Sequence, residues 1–224
     1  MRKTIFSVIG LWLSVLAVGA QNEAIVWTAG HCPEDFEVMG KPRIVQTALG
    51  PAVNFDGQDD AVFLNVNPLA GMEEFTIELI FRQDGNSPFE QRFLHIGSIH
   101  GTRLLFESRV TPQQQWYFDA YVNLGSAEQQ AILIDSTKTH PAGEWYCLAM
   151  TASKDGVVSY VNGVEQCRQA LPYQPVITDA RTSIGARQNL ACWFKGDLYK
   201  LRITPKVLDP KDFLQDHLKL NRVQ

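Results

Sequence analysis

The side chains of this 224-residue chain best suited to grip a ligand lie in Trp116–Leu124, WYFDAYVNL. Successive residues of a strand point to opposite faces. Trp116, Phe118, Ala120 and Val122 therefore share one face, and Tyr117, Asp119, Tyr121 and Asn123 the other. The first set holds the larger apolar side chains and takes the core. The second is a row of ring, acid, ring and amide. A sugar offers an apolar C–H face and hydroxyl groups, so tyrosines beside an acid and an amide complement it. The rings supply area and the polar groups fix orientation. The same composition also suits a plain solvated sheet face, where tyrosine and charged residues pair across strands. Glu78, Arg82, Arg103, Glu107 and Arg109 stand on nearby strand segments that can join that face. The candidate ligand-binding set is Tyr117, Asp119, Tyr121, Glu78 and Arg109.

Glycosidic bond hydrolysis needs two carboxyl groups, about 5–5.5 Å apart for retention and roughly 6.5–9.5 Å for inversion. Glu74 and Glu78 share a face, but four strand residues separate them by about 13 Å. They cannot serve one bond in a regular strand. Asp119 or Glu107, coming from a neighbouring strand, stays open as a second carboxyl group. The histidines, His31, His95, His100, His140 and His217, stand in no G-x-S-x-G or comparable nucleophile context. No catalytic residue is assigned.

Asp56-Gly57-Gln58-Asp59-Asp60 reads first as a turn, with Asp side chains satisfying nearby backbone. Three carboxylates in five residues also suit a hard cation, so Asp56, Asp59 and Asp60 are candidate ligands for a structural calcium. No other cofactor is expected. Four cysteines, Cys32, Cys147, Cys167 and Cys192, follow an apparent export signal. An even count in an oxidising compartment suggests two disulfides, and four cysteines allow three pairings. Cys147 and Cys167 flank one predicted hairpin, which favours Cys147–Cys167 with Cys32–Cys192. Zinc is disfavoured: there is no C-x-x-C, and Gly30-His31-Cys32 brings only two ligands together.

The elements that must position these groups are strands. In Phe75–Arg82, Phe75, Ile77, Leu79 and Phe81 share one face. Arg92–Gly97, Arg103–Val110, Trp116–Leu124 and Ala131–Asp135 follow as short strands separated by turn residues. Lys154-Asp155-Gly156 and Asn162-Gly163 mark hairpin turns. Near the end, Asp209 reads as an N-cap and Pro210 as the first residue of one short helix over about residues 210–220.

Three segments, in order, resemble the laminin-G-like, concanavalin A-like domains. Ala52–Arg82 resembles their opening strand, acidic turn and F-T-I strand. GEWYCLAMTASKDGVVSYVNG at Gly143–Gly163 is similar to their W-x-x-x-A hairpin ending in Y-V-N-G. Ser183–Phe213 resembles their closing run. The resemblance implies an all-β, two-sheet antiparallel jelly-roll sandwich. It implies little about activity, because sites are grafted onto folds. The glucanases of this superfamily place E-x-D-x-x-E on one strand. Here Glu73 and Glu78 fit the outer positions, but Phe75 stands where the Asp should be. In the pentraxins an acidic run follows the pair that aligns with Ile184-Gly185. Here Ala186-Arg187-Gln188-Asn189 sets a guanidinium in place of a carboxylate.

Residues 1–20 have the layout of a secretory signal peptide: Arg2 and Lys3, an apolar run, then Val18-Gly19-Ala20. The expected location is secreted, periplasmic or cell-surface. Residues 21–224 are expected to form a single jelly-roll domain. The chain carries a net charge of −4, which argues against nucleic acid as a partner. No later apolar run reaches spanning length. The expected function is an exported, non-catalytic binding module for carbohydrate or an extracellular protein partner. A glycoside hydrolase or polysaccharide lyase with an unusual site, and a structural subunit of a surface assembly, are the alternatives.

Overall fold

A computed structural model describes residues 23–29, 36–178 and 180–219. The expected signal peptide, His31 and Cys32 lie outside them. The strands, in chain order, are β1 (Ile25–Thr28), β2 (Phe36–Met39), β3 (Arg43–Thr47), β4 (Gly50–Asp56), β5 (Ala61–Leu64), β6 (Phe75–Gln83), β7 (Glu90–Gly97) and β8 (Arg103–Val110). They continue as β9 (Gln115–Asn123), β10 (Gln130–Ile134), β11 (His140–Pro141), β12 (Trp145–Ser153), β13 (Gly156–Val161), β14 (Val164–Gln169), β15 (Arg181–Ile184) and β16 (Lys195–Thr204). They form two antiparallel eight-stranded sheets, packed as a jelly-roll sandwich. The first sheet runs β14-β13-β12-β6-β16-β4-β3, with β1 also on β16. The second runs β10-β9-β8-β7-β15-β5-β2, with β11 also on β9. No helix among the described residues is long and apolar enough to cross a membrane.

Alternation builds the core. Phe75, Ile77, Leu79 and Phe81 of β6 meet Trp116, Phe118, Ala120 and Val122 of β9 between the sheets. At its centre Phe81 stacks on Phe93 at 5.0 Å and meets the edge of Trp116 at 5.0 Å. The Trp116 indole N–H donates to the Pro141 carbonyl at 3.1 Å, so its burial leaves no orphan donor. Asn162 and Gly163 take φ of 50° and 78° and close the β13–β14 hairpin, the left-handed pair such a turn needs.

The C-terminal helix differs from expectation. Asp209 does cap a turn, accepting from the Lys211 N–H at 3.0 Å. That turn is a single 3-10 turn, Pro210–Asp212, and the chain is extended again at Phe213 (φ −72°, ψ 164°). Among the described residues only Asp216–Lys219 is α-helical. The cause is packing. Phe213 and Leu214 insert against Ile80, Cys147, Ala149 and Tyr160 on the outer face of the first sheet. There the Leu214 N–H donates to Glu78 Oε1 at 2.7 Å, and a continuous helix would keep that donor for itself.

Two sequence expectations are corrected. Glu78 is on β6, in the first sheet, fully buried under this C-terminal segment. It pairs with Arg202 of β16 through both carboxylate oxygens, and so faces away from β9. Cys147 and Cys167 are free thiols. Cys147 of β12 lies on the outer face, whereas Cys167 of β14 packs toward the inter-sheet core. With β13 between them their strands are about 9–10 Å apart, beyond the reach of a disulfide. Cys192 makes no disulfide with a described residue; its expected partner, Cys32, lies outside the described residues.

Glu78→Gln leaves Arg202 and the Leu214 N–H short of an anionic acceptor. It should lower the unfolding free energy in urea by about 2–4 kcal/mol and leave ligand affinity at the second sheet unchanged.

Candidate functional site

The C-terminal segment packs on the outer face of the first sheet over β6, β12 and β13; the candidate residues lie on the outer face of the second sheet. Register places the candidate residues there. Across β8 and β9, Leu105 faces Tyr121, Glu107 faces Asp119 and Arg109 faces Tyr117. On the other side, Arg92 of β7 faces Glu107. A bulge sits in β7 between Arg92 and Leu94. It sends both Phe93 and Leu94 into the core, which frees Arg92 to point outward.

These residues line a groove of about 260 Å³. Toward solvent it is lined by Arg92, Arg103, Arg187, Tyr121 and Ile132, with Leu105 buried beneath them. Its floor holds Glu107, Arg109 and Asp119. The size is near the lower end of small-molecule clefts, about 300–1,000 Å³, so the groove suits part of a ligand rather than a whole chain.

Arg109 ties the floor together. Its Nη2 lies 2.9 Å from Glu107 and 2.8 Å from Asp119, and its Nη1 lies 2.8 Å from Glu90. Its Nε also donates to Asp119 at 2.9 Å. Arg92 adds a contact of 2.8 Å to Glu107 and pairs with Glu90. Burial pushes the Glu107 carboxyl up to about 7, against the pull of Arg92 and Arg109. Burial also raises Asp119, with Arg109 opposing. Asp119 is thus not an exposed contact beside two rings but a buried member of an ion-pair network. Tyr117 and Tyr121, four strand residues apart, do not form one platform. Tyr117 lines a separate depression with Phe89, Val110 and Pro112.

Tyr121 borders the groove. The Arg103 guanidinium lies 5.0 Å from the centre of its ring. Its hydroxyl donates to Gln130 at 2.8 Å and accepts from Asn123 at 3.1 Å. Arg187 enters from the turn after β15. Gly185 starts that turn at φ 90°, where a Cβ would lie 2.4 Å from the Phe55 ring. His95, fully buried, holds the turn: Nδ1 accepts from the Gln188 N–H at 3.3 Å, and Nε2 lies 3.1 Å from the Ser98 carbonyl. Burial drops its pKa to about 4, so it stays neutral. His100 is exposed.

The acidic turn lies elsewhere, beside Lys41 and Arg43. Carboxylate oxygens of Asp56, Asp59 and Asp60 come within 4.8 Å of one another. Asp60 is buried and accepts from the Lys41 N–H at 2.6 Å and the Asp56 N–H at 3.0 Å. Asp56 accepts from the Gln58 and Asp59 N–H groups. The donor set is chemically compatible with a hard cation, but these backbone bonds already account for the turn.

Tyr117, Asp119, Tyr121 and Arg109 thus share one face, and Glu78 does not. Arg82, also considered for that face, bonds Asp197 on the first sheet. Arg92 and Arg187 were missed as groove residues. The signal for Arg92 was its outward parity relative to Glu90, hidden by the bulge.

The chain matches the concanavalin A-like lectin/glucanases superfamily over residues 56–212 and belongs to that family. A comparison with curated proteins finds no match. Among solved structures it is similar to domain 4 of AbnA, an extracellular arabinanase from Geobacillus stearothermophilus, determined in complex with arabinotriose. That likeness has a TM-score of 0.58 at 18% identity, over 90% of each chain. It is also similar to the binding domain of botulinum neurotoxin DC in complex with SialylT, with a TM-score of 0.60 at 14% identity over 85% of this chain and 46% of that one. A third is the sialidase of Trypanosoma rangeli in complex with the inhibitor DANA, with a TM-score of 0.56 at 12% identity over 82% of this chain and 29% of that one. At these identities the likeness shows the fold.

Two outcomes follow from the buried carboxylates. Glu107 has a folded pKa above its unfolded value, so its contribution to stability is full below about pH 4.5 and is lost as pH rises through about 7. The wild type should therefore lose stability relative to Glu107→Gln between pH 5 and pH 8, by on the order of 1–3 kcal/mol, read from paired urea titrations. Asp60→Ala, measured with a chelator present, should cost about 1–3 kcal/mol through its two orphaned N–H groups. A loss seen only with calcium added would instead make an ion the stabilising partner.

Proposed function

We propose that the protein is an exported, non-catalytic carbohydrate-binding module that takes a sugar on the outer face of β8 and β9. The observation that carries this reading is the groove itself. It combines an aromatic edge at Tyr121, apolar contacts at Leu105 and Ile132, and a ring of guanidinium donors on a rigid sheet. Apolar area with a few convergent polar groups is what a sugar ring requires. The arabinotriose-bound arabinanase domain, similar in fold over 90% of both chains, supports the same direction. An extracellular protein presenting a glycan is the partner class this implies. Export rests on the signal-peptide layout of residues 1–20.

A catalytic reading has one observation in its favour. Glu107 and Asp119 face each other across neighbouring strands, at the cross-strand spacing of about 4.5–5.5 Å between Cβ atoms, near the separation of a retaining pair. Arg109 bonds to both, which suits a charge-compensated floor better than a nucleophile and a separate acid.

A glycan array run beside a reducing-end release assay separates the two. The module predicts binding without release. Tyr121→Ala should weaken binding by about 1–2 kcal/mol, while Tyr121→Phe, which keeps the ring, should lose less. Release that is abolished by Glu107→Gln with binding retained would establish the enzyme instead.

A further inference from the structure

The arginines of the groove are not equivalent. Arg92 and Arg109 are each held by two or more carboxylates. Arg103 and Arg187 have no carboxylate partner among the described residues. Each uses one nitrogen on a carbonyl of the β7–β8 loop: Arg103 Nη1 donates to Gly101 at 2.8 Å, and Arg187 Nη2 to Ile99 at 2.9 Å. Arg103 Nη2 makes a long contact of 3.4 Å to the Tyr121 hydroxyl. The Nε of both is buried without a hydrogen-bond partner.

Burial, and then the nearby charges of Arg92 and Arg103, hold the Arg187 guanidinium below the usual arginine range. Three guanidinium groups therefore meet at one rim; Arg92 is paired with Glu90 and Glu107, and Glu107 only partly offsets the charge on Arg187. Uncompensated guanidinium groups in a partly desolvated groove are costly. They are retained where an anion completes the set, since charge-assisted bonds to oxyanions are among the strongest a surface makes.

We propose that the groove recognises the oxyanion substituent of an acidic sugar, a carboxylate or a sulfate, through Arg103 and Arg187. This rests on the carbohydrate reading above and names its substrate class. The carbonyl props leave part of each guanidinium unpaired at the rim, beside Tyr121. The anion bridges the two arginines, and the sugar ring lies toward Tyr121 and Ile132. Arg109 is committed to the floor and takes no direct part.

The test compares four probes by calorimetry: a trigalacturonate, its fully methyl-esterified form, a sulfated neutral trisaccharide and inorganic sulfate. The wild type should bind the trigalacturonate or the sulfated trisaccharide at least about tenfold more tightly than the ester, and less tightly as salt rises. The preferred one of the two identifies the substituent. Arg187→Gln and Arg103→Gln should each remove that preference, weakening the charged probe at least about tenfold more than they weaken the ester. If Arg103→Gln does not fold, Arg187→Gln carries the test, because its side chain comes from a turn and not from the strand under Tyr121. Affinity for the trigalacturonate and for the sulfated trisaccharide that is in both cases no greater than for the ester overturns the proposal and keeps the carbohydrate reading. Binding of inorganic sulfate with no sugar bound keeps an anion site but overturns the acidic-sugar proposal and the carbohydrate reading. No binding of any probe overturns both.

Discussion

Each strand has two faces and a sandwich has one interior, so half the residues of every strand must be satisfied on the outside. The two sheets meet that constraint differently. The first covers part of its outer face with its own C-terminal segment, whose Phe213 and Leu214 pack on Ile80, Ala149 and Tyr160. The second covers part of its face, where Ala61 and Phe63 lie under Ala186 and Trp193. Over β8 to β10 no described segment packs on it in that way, and its outward charges compensate one another. Arg109 is the result: Glu90, Glu107 and Asp119 converge on it from three strands. The groove exists because that face is left open and its floor is held flat by ion pairs.

How far the sequence reported this depended on whether a feature was local. The faces of Phe75–Arg82 and Trp116–Leu124 were legible because both are regular strands with large apolar residues on one parity. The Asn162-Gly163 turn was legible because its backbone conformation selects its residues. The C-terminal helix was misread in extent because a partner 136 residues away, the Glu78 carboxylate, takes the Leu214 N–H. No local propensity encodes that bond. The Cys147–Cys167 pairing failed for a related reason. Closeness along a hairpin says nothing about which face each thiol occupies, and these two face opposite ways.

The site was half legible. Parity gave the outward row of β9 and the outward Arg103, Glu107 and Arg109 of β8. It could not say which other strand lies beside β8, and so it drew in Glu78 from the opposite sheet. Arg92 was concealed because the bulge at Phe93 breaks the alternation on which parity arguments stand. Arg187 was read only as the loss of a carboxylate. In the fold the same substitution adds a positive charge to the groove.

The charged groups of the groove differ in how fully they are bonded. Arg109, saturated by three carboxylates, can offer a ligand little without breaking an existing pair, so its contribution is to hold the strands and their register. Arg103 and Arg187 are braced by carbonyls and make no direct ion pair among the described residues, so part of each guanidinium stays available. Bracing matters because a long side chain that is already ordered loses less freedom on binding. His95 extends the same logic one step outward. Kept neutral by burial, it accepts the Gln188 N–H without adding a fourth positive charge to the rim. A protonated imidazole there could not accept that bond, and the turn that delivers Arg187 would lose its support.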